Sequence, residues 1–202
     1  MAKEQEVEVK FYLRDLKGLE KRLQRLGAKI SQPRVRETNL RYDTPQKDLA
    51  RANQALRLRQ DQQIRLTFKG PAQARTDLSV RQEIEFAISN FDAAQHFLEA
   101  LGYSVFVRYE KYRTTYEMDD LHITLDQMPY GDFVEIEGNE PDGIQASAEK
   151  LGLDWENRVI GSYLSLFSTV QTMLSLPGRD LTFGNFAGVT VLPEDLGIQY
   201  AD

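Results

Sequence analysis

Several stretches of this chain place charged residues at every second position. Glu6, Glu8 and Lys10 alternate with Val7, Val9 and Phe11, and Arg57 and Arg59 alternate with Leu56 and Leu58. Arg65, Thr67 and Lys69 oppose Ile64, Leu66 and Phe68, and Arg81, Glu83 and Glu85 oppose Ile84, Phe86 and Ile88. Later runs add Lys111, Arg113, Asp126, Glu135 and Glu137. Guanidinium and ammonium groups hold phosphate oxygens, Arg by a planar fork and Lys as a point charge. Carboxylates bind hard divalent cations such as Mg2+ or Mn2+ through oxygen. A polyphosphate chain with its metal ions matches both sets. The plain alternative is a sheet that shows these charges to water.

Period-2 alternation with β-branched residues defines the strands that must carry these groups. Beyond those above, 34–44 reads as extended, as do 104–118, 121–127 and 132–138. Asp15 caps a predicted helix running to about Ala28, with Leu16, Leu19, Leu23 and Leu26 at helical spacing. A second helix spans about Phe91–Leu101, with Asn90 or Asp92 as its cap. Helices over about 143–151 and 159–174 follow, and 176–202 is broken by Pro177-Gly178, Gly184, Gly188 and Pro193 into an irregular tail. Short turns between about eight strands favour an antiparallel sheet or barrel. If the charged faces point inward, the apolar faces lie outside and need helices over them, with Leu16, Leu19 and Leu23 on one and Phe97, Leu98 and Leu101 on another. A charged lumen carries a large desolvation cost unless opposite charges pair or a ligand supplies counter-charge.

With 202 residues, 41% hydrophobic and 28% charged, the composition fits a globular protein of one sizeable domain, 1–174, with the tail 175–202 packed on it or extending from it. No apolar run approaches the ~20 residues of a membrane span. The charged start and the lack of cysteine point to the cytoplasm, without disulfides or thiolate metal sites. A formal net charge of −6 argues against nucleic-acid binding but does not exclude a locally basic cavity. The expected partner is a small molecule, with no nucleic acid and no membrane, and the chain is a monomer or homodimer.

The ordered set of motifs resembles CYTH domains, also called triphosphate tunnel metalloenzymes. It comprises EVEVK at 6–10, LRLR at 56–59, TFKGP at 67–71, RQEIEF at 81–86, EKYRTTY at 110–116, ITLDQMPYGDFVEIEG at 123–138 and SYLSLF at 162–167. The resemblance implies an α+β fold, an eight-stranded antiparallel β-barrel forming a tunnel with a charged lumen, covered outside by helices. It implies Mg2+ or Mn2+ as cofactor and a triphosphate as substrate: ATP, tripolyphosphate or thiamine triphosphate. By motif, Glu6, Glu8, Asp126, Glu135 and Glu137 are metal ligands, and Lys10, Arg57, Arg59, Lys69, Lys111 and Arg113 bind phosphate. Glu6, Glu8, Lys10 and Lys111 form the expected catalytic set, with Arg65, Arg81, Glu83 and Glu85 as further lumen residues. The implied activity is triphosphate cleavage. Class IV adenylyl cyclase chemistry and non-catalytic polyphosphate binding are the alternatives.

Other residues invite plainer readings. His122 shares the face of Thr124 and Asp126 and reads as a structural or rim histidine, while His96 reads as surface. Trp155 reads as a packing anchor between the last two helices, and Tyr109, Tyr112 and Tyr116 as sheet packing. The loop 70–79 suits either a lid or an ordinary hairpin connection.

Overall fold

The computed structural model describes residues 6–71 and 79–202, without the side chains of Glu6 and Ser79. The strands are β1 (Glu6–Leu13), β2 (Lys29–Asp43), β3 (Ala55–Gln60), β4 (Ile64–Lys69), β5 (Ser79–Arg81), β6 (Glu83–Ile88), β7 (Ser104–Met118), β8 (Leu121–Met128), β9 (Gly131–Gly138) and β10 (Arg158–Val159). The helices are α1 (Leu16–Arg25), α2 (Asp48–Arg51), α3 (Phe91–Ala100), α4 (Pro141–Lys150), α5 (Tyr163–Leu174) and α6 (Pro193–Leu196).

The wall runs β1-β9-β8-β7-β2-β3-β4-β6, antiparallel throughout. β6 pairs with β4, while β5, separated from it by Gln82 alone, pairs with β1. That change of partner closes the sheet into the eight-position barrel expected from the sequence, with β5 and β6 sharing one position. β10 adds two residues to the β1 edge beyond β5, pairing with Lys10 and Phe11. Pro33, which has no N–H to give a ladder, falls where the β2–β7 register shifts. Gly131 opens β9 at φ +143, and a Cβ there would meet the Tyr12 ring at 2.5 Å, so glycine alone fits.

Alternation sends the apolar side chains outward. Val7, Val9 and Phe11 of β1, Ile123 and Leu125 of β8 and Val134 and Ile136 of β9 pack beneath Leu19 and Leu23 of α1 and Ile144 and Ala148 of α4. Asp15 caps α1, its Oδ1 accepting the Gly18 N–H at 2.9 Å. On the other flank α3 covers Leu40, Tyr42 and Leu58 with Leu98, Phe91 and Ala94, an i, i+3, i+7 stripe. Asn90, not Asp92, is its cap, accepting from Ala93 at 2.9 Å. The expected contribution of Phe97 and Leu101 fails: they are 61% and 59% exposed, because Phe97 lies off that stripe and Leu101 is the C-cap. Trp155 packs against Phe11 of β1 at 6.0 Å, in the cluster beneath α1 and α4 rather than between the last two helices.

The tail is ordered into the barrel. Leu181 exchanges hydrogen bonds with β7, donating to the Arg108 carbonyl and accepting from Glu110, both at 2.9 Å. Ala201 donates to the Tyr12 carbonyl at 3.0 Å, and the Asp202 carboxylate accepts the Arg14 and Asp15 N–H groups at 2.7 and 2.9 Å. Between these anchors Phe186 and Leu196 pack with Phe167 and Val170 of α5 onto Tyr12, Tyr109, Met128, Tyr130 and Phe133. Tyr12, Tyr109, Met128 and Phe133 share strand faces with Lys10, Lys111, Asp126 and Glu135, so the charged lumen passes into an apolar floor.

Candidate functional site

The polar faces of the strands are cross-strand neighbours around the barrel. Glu8 lies opposite Glu137, Lys10 opposite Glu135, Arg113 opposite Asp126, Glu37 opposite Lys111, Arg41 opposite Arg57, and Lys69 opposite Glu83. They enclose a cavity of about 830 Å³. Among the described residues nine cations line it: Lys10, Arg41, Arg57, Arg59, Arg65, Lys69, Arg81, Lys111 and Arg113. Six carboxylates do so among the described side chains: Glu8, Glu37, Glu83, Glu85, Glu135 and Glu137. A chain of net charge −6 therefore holds a cavity with a cationic surplus. The Glu6 side chain lies outside the described residues, as does most of the loop 70–79, read as either a lid or a hairpin connection.

Two ion clusters organise the cavity. In the first, Lys10 Nζ lies 2.6 Å from Glu135, and Arg113 bonds both Glu135 and Asp126, its Nε reaching Asp126 at 2.6 Å. Lys111 Nζ lies 3.0 Å from Asp126 and 3.7 Å from Glu37. The Tyr163 hydroxyl donates to Asp126 Oδ2 at 2.7 Å, and its ring lies beneath Lys10 Nζ at 4.4 Å and Lys111 Nζ at 5.2 Å. Burial alone would lower the Lys10 ammonium, but Glu135 and Glu8 raise it above its ordinary value. Burial alone would raise Glu135, yet Lys10, Arg113 and Lys111 hold it well below. Tyr163 is raised by burial and by Asp126 and Glu135, so its phenol keeps its proton.

In the second cluster the acidic pair of β6 serves as counter-ions. Glu85 meets Arg59 at 3.1 Å, Arg57 at 3.5 Å and Arg65 at 3.7 Å and accepts from Thr67 Oγ1 at 2.7 Å, while Glu83 meets Lys69 at 3.1 Å and Arg57 at 4.0 Å. Arg65 also pairs with Asp61 at 3.0 Å. Arg81 donates to the carbonyls of Gly70 and Asn53 at 2.9 and 2.6 Å. Burial would raise Glu37, but Lys111, Arg113, Arg59 and Arg57 bring it down to about 2.

The cavity gathers most of the residues singled out in the sequence, Asp126 excepted. Asp126, on the same inward face, is 0% exposed and accepts from Lys111, Arg113 and Tyr163 at the base of the charged lumen, outside the residues that line the cavity. Glu135 is likewise engaged, by Lys10 and Arg113. His122 lies exposed at the edge of the cavity, and His96 is exposed on α3. Sequence reasoning passed over Glu37, Arg41 and Tyr163 as site residues, and read Tyr109 only as sheet packing. Tyr109 lines the cavity and accepts from Arg57 at 3.4 Å. Continuing the alternation back from Asp43 would have found Glu37 and Arg41, and Tyr109 is in register with Lys111. Tyr163 lies within the SYLSLF motif at 162–167, but no charge alternation marked it as part of the cavity.

Glu8 and Glu137, opposite one another on β1 and β9, could hold a divalent cation. Like charges directly opposite one another destabilise a sheet, and a hard cation between them offsets this. Among the described residues no three carboxylate or imidazole groups converge on one point. Mg2+ commonly takes one or two carboxylates and completes its shell with water and substrate phosphate, and this donor set fits that mode.

No curated protein matches the chain. Solved structures do. A Vibrio parahaemolyticus protein described as a candidate adenylate cyclase superposes with a TM-score of 0.74 at 25% identity, over 82% of this chain and 98% of its own. A Pyrococcus horikoshii protein gives a TM-score of 0.66 at 28% identity, over 81% and 98%. A Hippeastrum protein, described as a candidate adenylyl cyclase with a dominant triphosphatase activity, shares the fold with a TM-score of 0.60 at 16% identity, over 96% and 100%. The family model of the CYTH domain matches residues 4–163, the span that supplies every charged group lining the cavity, and the chain belongs to the CYTH domain family.

Proposed function

We propose that this protein is a divalent-metal-dependent triphosphatase. The observation that carries the reading is the cavity lining: nine cations and six carboxylates in one enclosed space, with Glu8 and Glu137 facing each other across β1 and β9. Lys10, Arg57, Arg59, Lys69, Lys111 and Arg113 bind the phosphate chain, and Glu8 and Glu137 hold Mg2+ or Mn2+, with Glu6 of the same strand as a third candidate ligand. The metal supplies Lewis acidity to the phosphoryl oxygens.

In-line phosphoryl transfer depends on positioning and on neutralising charge as it shifts between oxygens. Lys10 and Lys111 stand on a rigid base, since Glu135, Asp126 and the Tyr163 ring fix both ammonium groups. Lys10 keeps its proton and therefore acts as a positive charge, not as a base. Arg57 and Arg59 exchange the Glu85 carboxylate for phosphate oxygens. Water needs no base-recognition site, which favours hydrolysis over cyclisation in a cavity lined mainly by charge.

Product analysis tests this reading. With Mg2+ or Mn2+, tripolyphosphate, thiamine triphosphate or ATP should yield orthophosphate, and EDTA should stop the release. Cyclic AMP with pyrophosphate would assign a cyclase instead, and tight binding without turnover of any of the three would assign a binding module.

A further inference from the structure

Arg41 stands apart among the cations of the cavity. Seven of the other eight form ion pairs with carboxylates, and Arg81 is held by two backbone carbonyls. Arg41 makes no hydrogen bond or ion pair with the described residues, and its Nε is buried without a partner. The carboxylate best placed to serve it, Asp43, lies two residues on along the same strand face. That carboxylate is already occupied: Oδ1 accepts the N–H groups of Thr44 and Leu49 at 2.8 and 3.0 Å, and Oδ2 accepts that of Ala50 at 3.0 Å, capping α2. Across the β2–β3 ladder Arg41 faces another cation, Arg57. Burial first, then Arg57 and Arg81, lower its guanidinium from the ordinary value, with Tyr109 and Asp43 opposing. Asn39, the preceding residue on that face, is 0% exposed with both amide atoms unpartnered. The β2–β7 register shifts between Arg41 and Tyr42, skipping Phe106, and such bulges re-aim side chains.

A partly buried cation without a counter-ion is costly, and an anion that supplies the missing charge recovers that cost. At the seven paired cations an incoming phosphate displaces a carboxylate, so its gain is partly cancelled. At Arg41 no carboxylate among the described residues is displaced. We propose that Arg41, with Arg57 and the Tyr109 hydroxyl, forms the primary anion anchor of the cavity, which takes a phosphoryl group before, and independently of, any metal. The inference deepens the triphosphate reading by naming the group that the phosphate chain seats first.

The test is binding of pyrophosphate and of ADP by calorimetry in EDTA, so that the measurement stands apart from turnover. Arg41→Gln should weaken whichever of them the parent protein binds by about tenfold or more, the scale of a lost charge-assisted hydrogen bond. Arg41→Lys should recover part of the loss. Arg51→Gln removes the same charge from an exposed position on α2 and should leave affinity unchanged. The ligand-free Arg41→Gln protein should melt higher than the parent, since an uncompensated charge has gone. Equal affinity in Arg41→Gln and parent, an equal loss in Arg51→Gln, or a parent that binds neither probe without metal would overturn the anchor. Metal-free binding that depends on Arg41 in a protein that turns over no triphosphate would keep the anchor and sink the triphosphatase reading.

Discussion

Glu8 and Glu137 carry the metal assignment, and a single atom tests it. Glu8→Gln replaces a carboxylate oxygen with an amide NH2 of the same shape, so Mg2+-dependent phosphate release should fall by about a hundredfold or more while the melting temperature moves little. Retained activity would move the metal elsewhere. Glu37 tests the electrostatics of the wall. Its carboxyl is held at about 2 in the folded protein, below its ordinary 4.5, so its contribution to stability is complete above the ordinary value and is lost as pH falls toward 2. Glu37→Gln should therefore lower the urea midpoint at about pH 7 and shrink the difference from the parent at about pH 3. Parallel stability curves for the two proteins would contradict this. Part of this scale was legible in advance. Alternating Glu, Arg and Lys identify a polar strand face without coordinates, but which carboxylate answers which cation depends on residues far apart in sequence, such as Glu85 with Arg59 or Tyr163 with Asp126.

At the scale of elements, α5 and the tail matter most. The stretch after Leu174 looked irregular because its glycines and prolines erase any period, yet its ends are fastened to β7 and β1 and its middle covers the aromatic floor. Truncation after Leu174 should expose Tyr12, Tyr130, Phe133 and Phe167, raise binding of a hydrophobic dye and lower solubility. A truncated protein as soluble and as stable as the parent would mean that the strap contributes no packing. Most strand boundaries, by contrast, fall close to those expected, because a half-buried strand advertises itself residue by residue. The exceptions are β2, which begins at Lys29 rather than 34, the run through 81–88, which divides at Gln82, and β10, which was not expected. α2 and α6, each of four residues, carry too little periodicity to be seen, and α2 is held by Asp43 and its neighbours rather than by its own propensity.

For the whole molecule, the contrast between a chain of net charge −6 and a cavity with more cations than carboxylates sets the expected response to salt. Raising ionic strength from about 0.05 to about 0.5 M shortens the Debye length to a few ångströms and should raise KM for tripolyphosphate several-fold. A KM indifferent to salt would argue that the substrate is not held by charge. No described helix is long and apolar enough to cross a membrane.

Read alone, the chain specifies its strands, their two faces and the chemical class of the polar one, since all three follow from alternation between adjacent residues. Closure does not follow from any local pattern: it depends on β5 leaving the β4 side at Gln82 to pair with β1, a contact between residues some seventy positions apart. Only that closure turns the charged faces toward one another, pairs most of them, and leaves Arg41 without a counter-ion among the described residues. Ion pairing in a confined space is a property of three-dimensional distance, which no spacing along the chain encodes.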